Sequence, residues 1–542
     1  MEQRFGADLV ILNGSVLTVN PQDEVVQAVA VKGKYVLAVG SNEEISSYIG
    51  EATTVLDAKG HTVMPGFVDA HVHFGMYGLL DHGIINITYP AVGSIEELKE
   101  RIRTEAAKKE KGTWIKLQGY DHNKLAEQRH PTKEDLDEAA PDHPVQCTRC
   151  CAHMAVYNSA ALERVGISSA DQFASGEVVL NEDGSIHGLL KETAHMDSSK
   201  KVEFSPEELL VGHKNANEIM LSLGITTAHD AGGYNAVSMA AMQDACESGE
   251  VKVRLYPMVF DLFGKESGKE FIRTFIKTGV HTGCGSQHYK IGPVKIMLDG
   301  SSSGPSSAMI DGYSHDRDNH GLRVWSQEEV DEIVLEAHRA GFQVTAHAVG
   351  DWAVTIMVNA IEKAMQRYPG KERRHRIEHC GLTSPELIQR IAKLGIIPIS
   401  NPSFIAINGS DYNRYYGERV NYMFPLKSYL DAGVITAIGS DSPVTHPDPM
   451  NGLYGALNRK DQNTGALVGE RQKVDVLQAV RMFTYNGAYA SFEEEIKGSL
   501  ETGKLADLVI LTENILTCPP EHIQQTKVQY TLVDGEIVYK KE

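Results

Sequence analysis

Two histidines separated by one residue, His71 and His73, follow an apolar stretch that begins at Val63. Successive side chains of a β-strand point to opposite faces, so these two imidazoles would project on the same side. Imidazoles that share one side at the end of a buried strand can bind a metal ion such as Zn²⁺. The spacing alone is a weak indication, because a pair of packed or exposed histidines has the same pattern. A metal site therefore requires further ligands at the ends of other strands.

Four further polar residues, Lys295, His347, His379 and Asp441, lie within or at the end of apolar, strand-like stretches. Each alone has an ordinary explanation, as an ion-pair partner, a strand cap or a turn residue. Together with the two histidines they predict one site, because the carboxyl ends of parallel strands meet at one face of a barrel. Imidazoles and carboxylates suit Zn²⁺, with Fe²⁺ or Mn²⁺ as alternatives.

Lys295 needs a separate argument, since an ammonium group repels a metal ion and is not an ordinary zinc ligand. Reaction of its amine with CO₂ would give N6-carboxylysine, whose carbamate is anionic and can bridge two ions. We therefore predict a metal centre that Lys295 can join in this carboxylated form. Its six residues are His71, His73, Lys295, His347, His379 and Asp441.

Eight apolar stretches predict the strands that position these groups, and helical patterns separate most of them. Helical periodicity is clear at 328–340 and 384–394. Strands that alternate with helices predict an α/β fold, here a (β/α)₈ TIM barrel with its chemistry at the carboxyl ends of the strands. The predicted strands are 62–73, 224–230, 253–259, 294–300, 343–347, 375–379, 396–400 and 434–441.

The two ends of the chain share short β-like runs bounded by turn signals, and 503–511 echoes 6–12. This predicts a discontinuous β-sandwich domain formed by 1–62 and 485–542, with the barrel at 63–484. Roughly 150 residues separate His73 from the second predicted strand, where a βα unit needs about 30. We predict that an inserted subdomain at about 88–220 caps the site, because long insertions in compact domains are usually functional.

Composition narrows the classes of partner. The 542 residues include 52 basic and 72 acidic residues, for a formal charge of −20. This acidic balance argues against a nucleic-acid or anionic-membrane partner and favours solubility, but it does not indicate the substrate. The partner that we predict is a small-molecule substrate. The N-terminal residues lack the apolar core of a signal peptide, and no apolar stretch is long enough to span a bilayer. We therefore predict a cytoplasmic protein.

The metal-ligand candidates lie in motifs that resemble those of the amidohydrolase superfamily. The sequence is most similar to the branch of that superfamily that includes N-substituted formamide deformylase. The resemblance extends over nearly the whole chain. The motifs that carry it are 65–73, 294–301, 346–351, 377–379 and 439–443, with 131–137, 141–145 and 153–162 in the insertion.

The resemblance implies a site for two metal ions, although some branches use one. His71 and His73 would bind one ion and His347 and His379 the other, with carboxylated Lys295 between them. It also implies that Asp441, near the bridging water, is the catalytic residue that takes a proton and passes it to the leaving nitrogen. At the level of the family, a homodimer is a possible assembly.

We predict a hydrolase that cleaves a C–N bond other than a peptide bond, in an amide, formamide or cyclic amide, by metal-activated water. One alternative is a metal-dependent deaminase or iminohydrolase, which is disfavoured because no glutamate follows His347 and because Lys295 is present. The other is an inactive metal-binding scaffold, which the complete ligand set disfavours. The candidate substrate-binding residues are Tyr120, Asp121, His122, His153, Ser301, Ser302 and His320.

Overall fold

The computed structural model describes residues 6–80, 83–173, 177–202, 204, 206–233, 236–261, 264–370 and 372–542. It has an α/β structure, as predicted. In this part of the chain, no helix combines the length and the apolar character needed to cross a membrane. The strands are β1 Leu9–Leu12, β2 Ser15–Leu17, β3 Val25–Val26, β4 Ala28–Lys32, β5 Tyr35–Gly40, β6 Thr54–Asp57, β7 Thr62–Pro65, β8 Phe67–Val72, β9 Ile85–Asn86, β10 Ile115–Tyr120, β11 Val145–Arg149, β12 Met154–Tyr157, β13 Val178–Leu180, β14 Ile186–Lys191, β15 Ile225–Asp230, β16 Arg254–Leu255, β17 Val294–Met297, β18 Val344–Ala348, β19 Arg376–His379, β20 Ile397–Ser400, β21 Ala437–Ile438, β22 Leu508–Leu511, β23 Val528–Val533 and β24 Glu536–Lys540.

Helices connect most of the later strands, and capping residues mark several of their ends. Helix α10 begins after Ser326, whose side chain accepts a hydrogen bond from the Glu329 N–H. The Glu329 carboxylate in turn accepts one from the Ser326 N–H. The α-helices are α1 Asn42–Ser46, α2 Phe74–Gly78, α3 Ile95–Ala106, α4 Lys133–Ala139, α5 Ser159–Val165, α6 Glu192–Ser199, α7 Pro206–Ser222, α8 Ala236–Glu247, α9 Lys265–Thr278, α10 Gln327–Arg339, α11 Asp351–Arg367, α12 Pro385–Leu394, α13 Ser403–Tyr416, α14 Leu426–Asp431, α15 Pro449–Asn458, α16 Val476–Met482 and α17 Tyr485–Ala490. Short 3₁₀ helices span Ala170–Gln172, Gly417–Tyr422, Glu470–Gln472 and Pro520–Gln525.

Eight parallel strands overlap the eight predicted stretches and form two sheets, with the orders β16-β15-β8 and β17-β18-β19-β20-β21. Backbone hydrogen bonds link the outer strands at both junctions. The Asp441 N–H donates to the His71 carbonyl at 2.7 Å, and the Lys295 N–H donates to the Val259 carbonyl at 3.0 Å. The carboxyl ends of β8, β17, β18, β19 and β21 therefore lie along one continuous edge.

The strand predicted at 253–259 is shorter than expected, since β16 contains two residues. Pro257 explains the difference, because proline has no N–H to donate to a neighbouring strand. The chain nevertheless stays beside β15, as the Met258 N–H donates to the Asp230 carbonyl at 2.8 Å.

The parallel strands are buried on both faces, as expected for sheets that helices cover. All residues of β8, β15, β18, β19 and β20 are buried. One apolar cluster packs β8 and β15 against α7, α15 and α16. A second cluster packs β17 and β18 against α10, α11 and α12. The two clusters provide the rigid support for side chains at the strand ends.

Strands from both ends of the chain meet in one six-stranded sheet, with the order β24-β23-β22-β7-β2-β3. A separate four-stranded sheet has the order β5-β4-β1-β6. Strands β1 and β22 have the same sequence, Leu-Val-Ile-Leu, yet lie in different sheets. The division of the chain into domains at 62 and 485 stays a prediction.

A mixed sheet with the order β13-β14-β12-β11-β10-β9 occupies the long segment between β8 and β15. Its β10 and β11 pack against α3 and α4 through an apolar cluster that includes Leu98, Leu117, Leu136 and Cys147. Helix α7, at the end of this segment, packs against α2 and α8 instead. We refer below to this six-stranded sheet as the insertion sheet.

A buried charge cluster stabilises the chain just before the C-terminal strands. The Glu493 carboxylate contacts the ammonium groups of Lys290 at 2.8 Å and Lys497 at 2.7 Å. Burial alone would raise the pKa of Glu493, but the two ammonium groups lower it to about 2. Because this pKa lies below that of the unfolded chain, the stabilisation is complete near neutral pH and is lost as the pH falls toward 2.

We expect Glu493→Gln to lower the free energy of unfolding at neutral pH by about 3 kcal/mol, the equivalent of this shift in pKa. Denaturant unfolding of wild type and variant, measured from neutral pH down to about pH 3, should show the gap closing as the pH falls. Glu495→Gln, at an exposed position two residues away, should leave stability unchanged. A gap that does not depend on pH would contradict the assignment.

Candidate metal centre

Donor atoms of three buried residues converge at the carboxyl ends of the parallel strands. One ligand atom each from His71, His379 and Asp441 lies within 4.8 Å of the other two. His71 Nε2 is 3.2 Å and His73 Nε2 is 3.5 Å from Asp441 Oδ1. Two imidazoles and a carboxylate at such separations match the ligand types of a transition-metal site.

Hydrogen bonds on the far side of the His71 and His73 rings determine which nitrogen faces the centre. His71 Nδ1 lies 2.5 Å from Glu378 Oε2, and His73 Nδ1 lies 3.1 Å from the Gly232 carbonyl oxygen. Both partners accept hydrogen bonds, so each Nδ1 carries the proton that it donates. In the neutral imidazoles the lone pair is then on Nε2, which faces Asp441.

Asn401 orients the ring of His379 in the same way. Its Nδ2 donates to the Gly439 carbonyl at 2.8 Å, which places its Oδ1 2.8 Å from His379 Nδ1. An amide oxygen can only accept, so His379 Nδ1 donates and its Nε2 lone pair is available. Three histidines are therefore held in the tautomer that presents Nε2 as a ligand.

These residues fit a divalent cation. His71 Nε2 is buried and forms no hydrogen bond with any described residue, although Asp441 Oδ1 is close to it. A lone pair and a carboxylate that face each other repel unless a proton or a cation lies between them. Burial lowers the pKa of His73 to about 3 and that of His379 to about 4, so both are neutral ligands at pH 7.

Without a cation, a proton on His71 Nε2 would lie between this nitrogen and Asp441 Oδ1. Burial and the nearby Lys295 ammonium lower the pKa of His71, but the adjacent carboxylates of Asp441 and Glu378 outweigh them and raise it. Burial also raises the pKa of Asp441, yet its contacts with His71 and the other histidines hold it below its usual value. The Asp441 carboxylate is therefore ionised and able to accept a proton.

The backbone at the centre adopts conformations that non-glycine residues rarely use. His379, Cys380 and Asp441 have φ values of 66°, 43° and 57°. Such residues cost about 1–3 kcal/mol each and cluster at functional sites. Gly439 permits the close approach of this segment to β8, because a Cβ there would lie 2.5 Å from His71 Cβ.

His347 and Lys295 complete the predicted set. His347 Nε2 is 3.2 Å from the Gly300 carbonyl oxygen and donates to it, so the lone pair of the neutral ring is on Nδ1. Its ring centroid is 4.5 Å from that of His379. Lys295 is buried, and its Nζ donates to the Ala231 carbonyl at 3.2 Å. Burial lowers the pKa of its ammonium group. All six predicted metal ligands line a single cavity of about 390 Å³.

Three of the predicted substrate-binding residues, His153, Ser301 and Ser302, also line this cavity. His153 Nδ1 is 2.9 Å from Glu192 Oε2, and its ring centroid is 5.7 Å from that of His347. Burial lowers the pKa of His153, but Glu192 more than compensates and raises it to about 9. The insertion therefore brings an imidazolium close to the metal centre.

The other four predicted residues do not line the cavity. Tyr120 is buried in the core of the insertion, where its hydroxyl bonds to His130 at 2.9 Å. His122 stacks on the same ring, with centroids 4.0 Å apart. Asp121 accepts a hydrogen bond from Arg149 at 3.0 Å. His320 Nδ1 lies 3.3 Å from a backbone carbonyl oxygen, that of Met309.

Sequence reasoning missed the carboxylates that surround the ligands. Asp69 accepts hydrogen bonds from the His71 N–H at 3.2 Å and from the Ser440 hydroxyl at 2.6 Å. Asp299 accepts from the Val349 and Gly350 N–H groups at 3.0 and 2.7 Å, and burial raises its pKa to about 7. In the sequence, each of these carboxylates could have been recognised as a charged residue inside an apolar motif, and the same is true of Glu378.

Comparison with known proteins agrees with this geometry. Residues 54–539 match the amidohydrolase family. The chain is 29% identical to N-substituted formamide deformylase of Arthrobacter pascens, over 98% of each chain. It is 27% identical to the putative amidohydrolase YtcJ of Bacillus subtilis, over 97% of this chain and 98% of that protein. The structure resembles the crystal structure of an uncharacterised metal-dependent hydrolase from Pyrococcus horikoshii, with a TM-score of 0.77 and 25% identity over 95% of this chain and 99% of that one.

Proposed function

The chain belongs to the amidohydrolase family, and on that premise we propose that it hydrolyses a C–N bond of an amide, formamide or cyclic amide. The observation that carries the proposal is the arrangement of His71, His379 and Asp441, whose ligand atoms face one another in a buried cavity. Histidine tautomers held by Glu378 and Asn401 support a role in metal binding rather than in packing. Similarity to a formamide deformylase over the whole chain supports the type of bond.

The eight parallel strands support a closed (β/α)₈ barrel, because hydrogen bonds link the two sheets at both junctions. In that barrel the six ligands surround the mouth, at the carboxyl ends of the strands. His71 and His73 would hold one ion and His347 and His379 a second, with Asp441 beside the first. Zn²⁺ suits these nitrogen and oxygen ligands, and Fe²⁺ and Mn²⁺ are alternatives.

Lys295 would join the ligand set as a carbamate. Its buried amine loses a proton more readily than an exposed one, and the neutral nitrogen forms a bond to the carbon of CO₂. The second amine proton leaves to solvent, and the product is an anion. This anion would replace a buried ammonium that faces the nitrogen ligands.

The chain's own residues then have distinct roles in hydrolysis. A divalent ion bound at the centre supplies Lewis-acid activation of water and of the substrate carbonyl. Asp441 accepts a proton from the water while the water oxygen forms a bond to the carbonyl carbon. Asp441 then returns this proton to the nitrogen as the C–N bond breaks. His153 donates a hydrogen bond to the oxygen on which negative charge develops. The products are an amine and a carboxylate, which is formate for a formamide.

A hydrolysis screen on protein of known metal content tests this proposal. N-substituted formamides, acyclic amides and cyclic amides are assayed before and after treatment with a chelator. We expect amine release that the chelator abolishes and added Zn²⁺ restores. Ammonia release from an amino-heterocycle would instead support the deaminase alternative, and bound metal without turnover of any compound would support the inactive scaffold.

Replacement of Lys295 by alanine tests the carbamate. We expect Lys295→Ala to bind metal at least about 10-fold more weakly, because it removes an anionic ligand. Added formate, acetate or propionate should restore part of the metal and of the activity, since a small carboxylate can occupy the vacated space. Metal content and turnover are measured with and without each carboxylate. Unchanged metal in the variant would remove Lys295 from the ligand set, and Lys473→Ala, at the surface, is the control.

A further inference from the structure

The insertion sheet places the carboxylate of Glu192 directly against His153. His153 immediately precedes β12 and Glu192 immediately follows β14, and these strands pair in antiparallel register with Met154 opposite Lys191. The next pair in that register is His153 and Glu192. The Glu192 N–H donates to the His153 carbonyl at 2.8 Å, and His153 Nδ1 lies 2.9 Å from Glu192 Oε2. The main chain and the side chain of Glu192 therefore both hold the histidine.

His153 is the basic partner of this carboxylate. The two side chains are 11% and 13% exposed, and Glu192 forms no ion pair with any lysine or arginine that the structure describes. A carboxylate that is removed from water costs free energy unless hydrogen bonds or a positive charge compensate it. The contact itself thus favours a positive charge on the His153 ring, in agreement with the raised pKa of that residue.

The backbone is strained on both sides of this contact. Ala152, which precedes His153, has a φ of 59°, and Glu192 has a φ of 44°. Residues other than glycine rarely adopt this conformation, and those that do cluster at functional sites. Both segments are strained at the point where the imidazole and the carboxylate meet, which suggests that the direction of the His153 ring matters for function.

The opposite edge of the His153 ring faces the substrate cavity. His153 lines that cavity, and its Nε2 forms no hydrogen bond with any residue that the structure describes. The ring centroid is 5.7 Å from that of His347, a predicted metal ligand. Of the described residues that line the cavity, Asp441 alone carries a carboxylate, and it faces His71 and His73. A proton on His153 Nε2 can therefore be donated to a molecule in the cavity.

The charge of the His153 ring selects for a negative group between it and the metal centre. An imidazolium and a site for divalent cations repel each other, and an anion between them is attracted by both. An amide substrate is neutral at its carbonyl, whereas the tetrahedral intermediate of hydrolysis carries a negative oxygen. The contact with His153 is thus stronger in the transition state than with the bound substrate, which is the condition for raising kcat.

We propose that Glu192 is a positioning residue for hydrolysis, which holds His153 by Nδ1 so that the Nε2–H group meets the substrate oxygen as negative charge develops there. This inference rests on the proposed function, in which His153 is the donor. Glu192 does not line the cavity, so it acts through the ring. It fixes the orientation of His153 and stabilises the form in which both ring nitrogens carry a proton.

A double-mutant cycle tests whether Glu192 acts through His153. We expect His153→Gln to lower kcat by about 100-fold or more, as for loss of a donor to the developing charge. Glu192→Gln keeps the shape and an acceptor oxygen but loses the charge, and should lower kcat by about 10- to 100-fold with KM within about threefold. The double variant should be no slower than His153→Gln, since no ring is then left to position. Losses that multiply in the double variant would overturn the proposal.

Glu177→Gln is the matched control for Glu192→Gln. The Glu177 carboxylate accepts a hydrogen bond from the Ala194 N–H at 2.9 Å, in the helix that begins at Glu192, and forms no printed contact with His153. It should keep the wild-type kcat, and the metal content of every variant should equal that of the wild type. Glu192→Asp restores the charge at a shorter reach and should recover part of the kcat that Glu192→Gln loses. An equal loss in Glu177→Gln would overturn the proposal.

NMR of protein with isotope-labelled histidine separates failure of this inference from failure of the proposed function, because it does not require turnover. The His153 signals are assigned by their absence from His153→Gln in protein loaded with Zn²⁺. Near neutral pH we expect both ring nitrogens to carry protons in the wild type and Nε2 to lose its proton in Glu192→Gln. That difference supports the positioning role even if no amide is hydrolysed, and identical His153 signals in the two proteins overturn it. If Glu192→Gln does not fold, the kinetic cycle is carried out with Glu192→Asp, whose smaller loss should also vanish in the His153→Gln background.

Discussion

Replacement of Asp441 by asparagine is expected to lower kcat by at least about 1,000-fold, within the range for loss of a general base that is also a ligand. Asparagine keeps the shape of the side chain but carries no charge and cannot take a proton from water. Oδ1 of Asp441 also faces both His71 Nε2 and His73 Nε2. Steady-state kinetics with a formamide from the screen, on protein of measured metal content, gives the result.

Two comparisons make the Asp441→Asn result specific. Metal content reports whether the loss of activity reflects loss of the ion or loss of proton transfer. Asp431→Asn, at an exposed position in α14, should retain wild-type kcat. If Asp441→Asn kept more than about one tenth of the wild-type kcat, the proton-transfer role would be wrong.

Replacement of His71 by alanine is expected to remove both metal and activity. His71 Nε2 has no hydrogen-bond partner among the described residues and lies in the three-residue cluster, while its Nδ1 is fixed by Glu378. Loss of this ligand should weaken metal binding by at least about 100-fold, more than the loss of a supporting residue would. Dialysed protein is measured by elemental analysis and assayed for turnover.

His522→Ala is the matched control for His71→Ala, because this histidine is exposed near the C-terminus. It should keep the wild-type metal content and kcat. The fold of both variants is compared by circular dichroism. A folded His71→Ala protein with the full complement of metal would show that the ion binds elsewhere.

The six ligand candidates could be predicted because they obey local rules. His71 and His73 share a side by strand periodicity, and the others interrupt or end apolar runs. The partners that orient their rings could not be predicted in this way. Glu378 precedes His379 in sequence but contacts His71, more than 300 residues away along the chain. Such contacts depend on the order of the strands in space rather than on spacing.

The insertion shows a different limit. Regular alternation along β10 would place Tyr120 on the same face as Lys116 and Gln118, which is the face that lines the cavity. A register shift between Gln118 and Tyr120 interrupts that alternation, and Gly119 adopts a φ of 117° there. Tyr120 consequently joins the apolar cluster on the opposite face. A single-residue bulge cannot be recognised from the alternation of polar and apolar residues. It nevertheless changes the face of every residue that follows.

The partners of the terminal strands also could not be predicted from the sequence. Both ends have β-rich patterns, and the structure places strands of both in one sheet. The identical sequences of β1 and β22 nevertheless have different neighbours: β1 pairs with β4 and β6, and β22 pairs with β7 and β23. Strand propensity depends on composition, whereas the choice of partner depends on which faces remain to be buried.

Anomalous diffraction from crystals grown with Zn²⁺ tests the metal centre most directly. Data collected on both sides of the zinc absorption edge locate the ion without reference to activity. We expect a strong peak between the Nε2 atoms of His71 and His73 and Oδ1 of Asp441, at coordination distance from each. Absence of a peak there, with the imidazoles ordered and turned away from one another, would contradict the account.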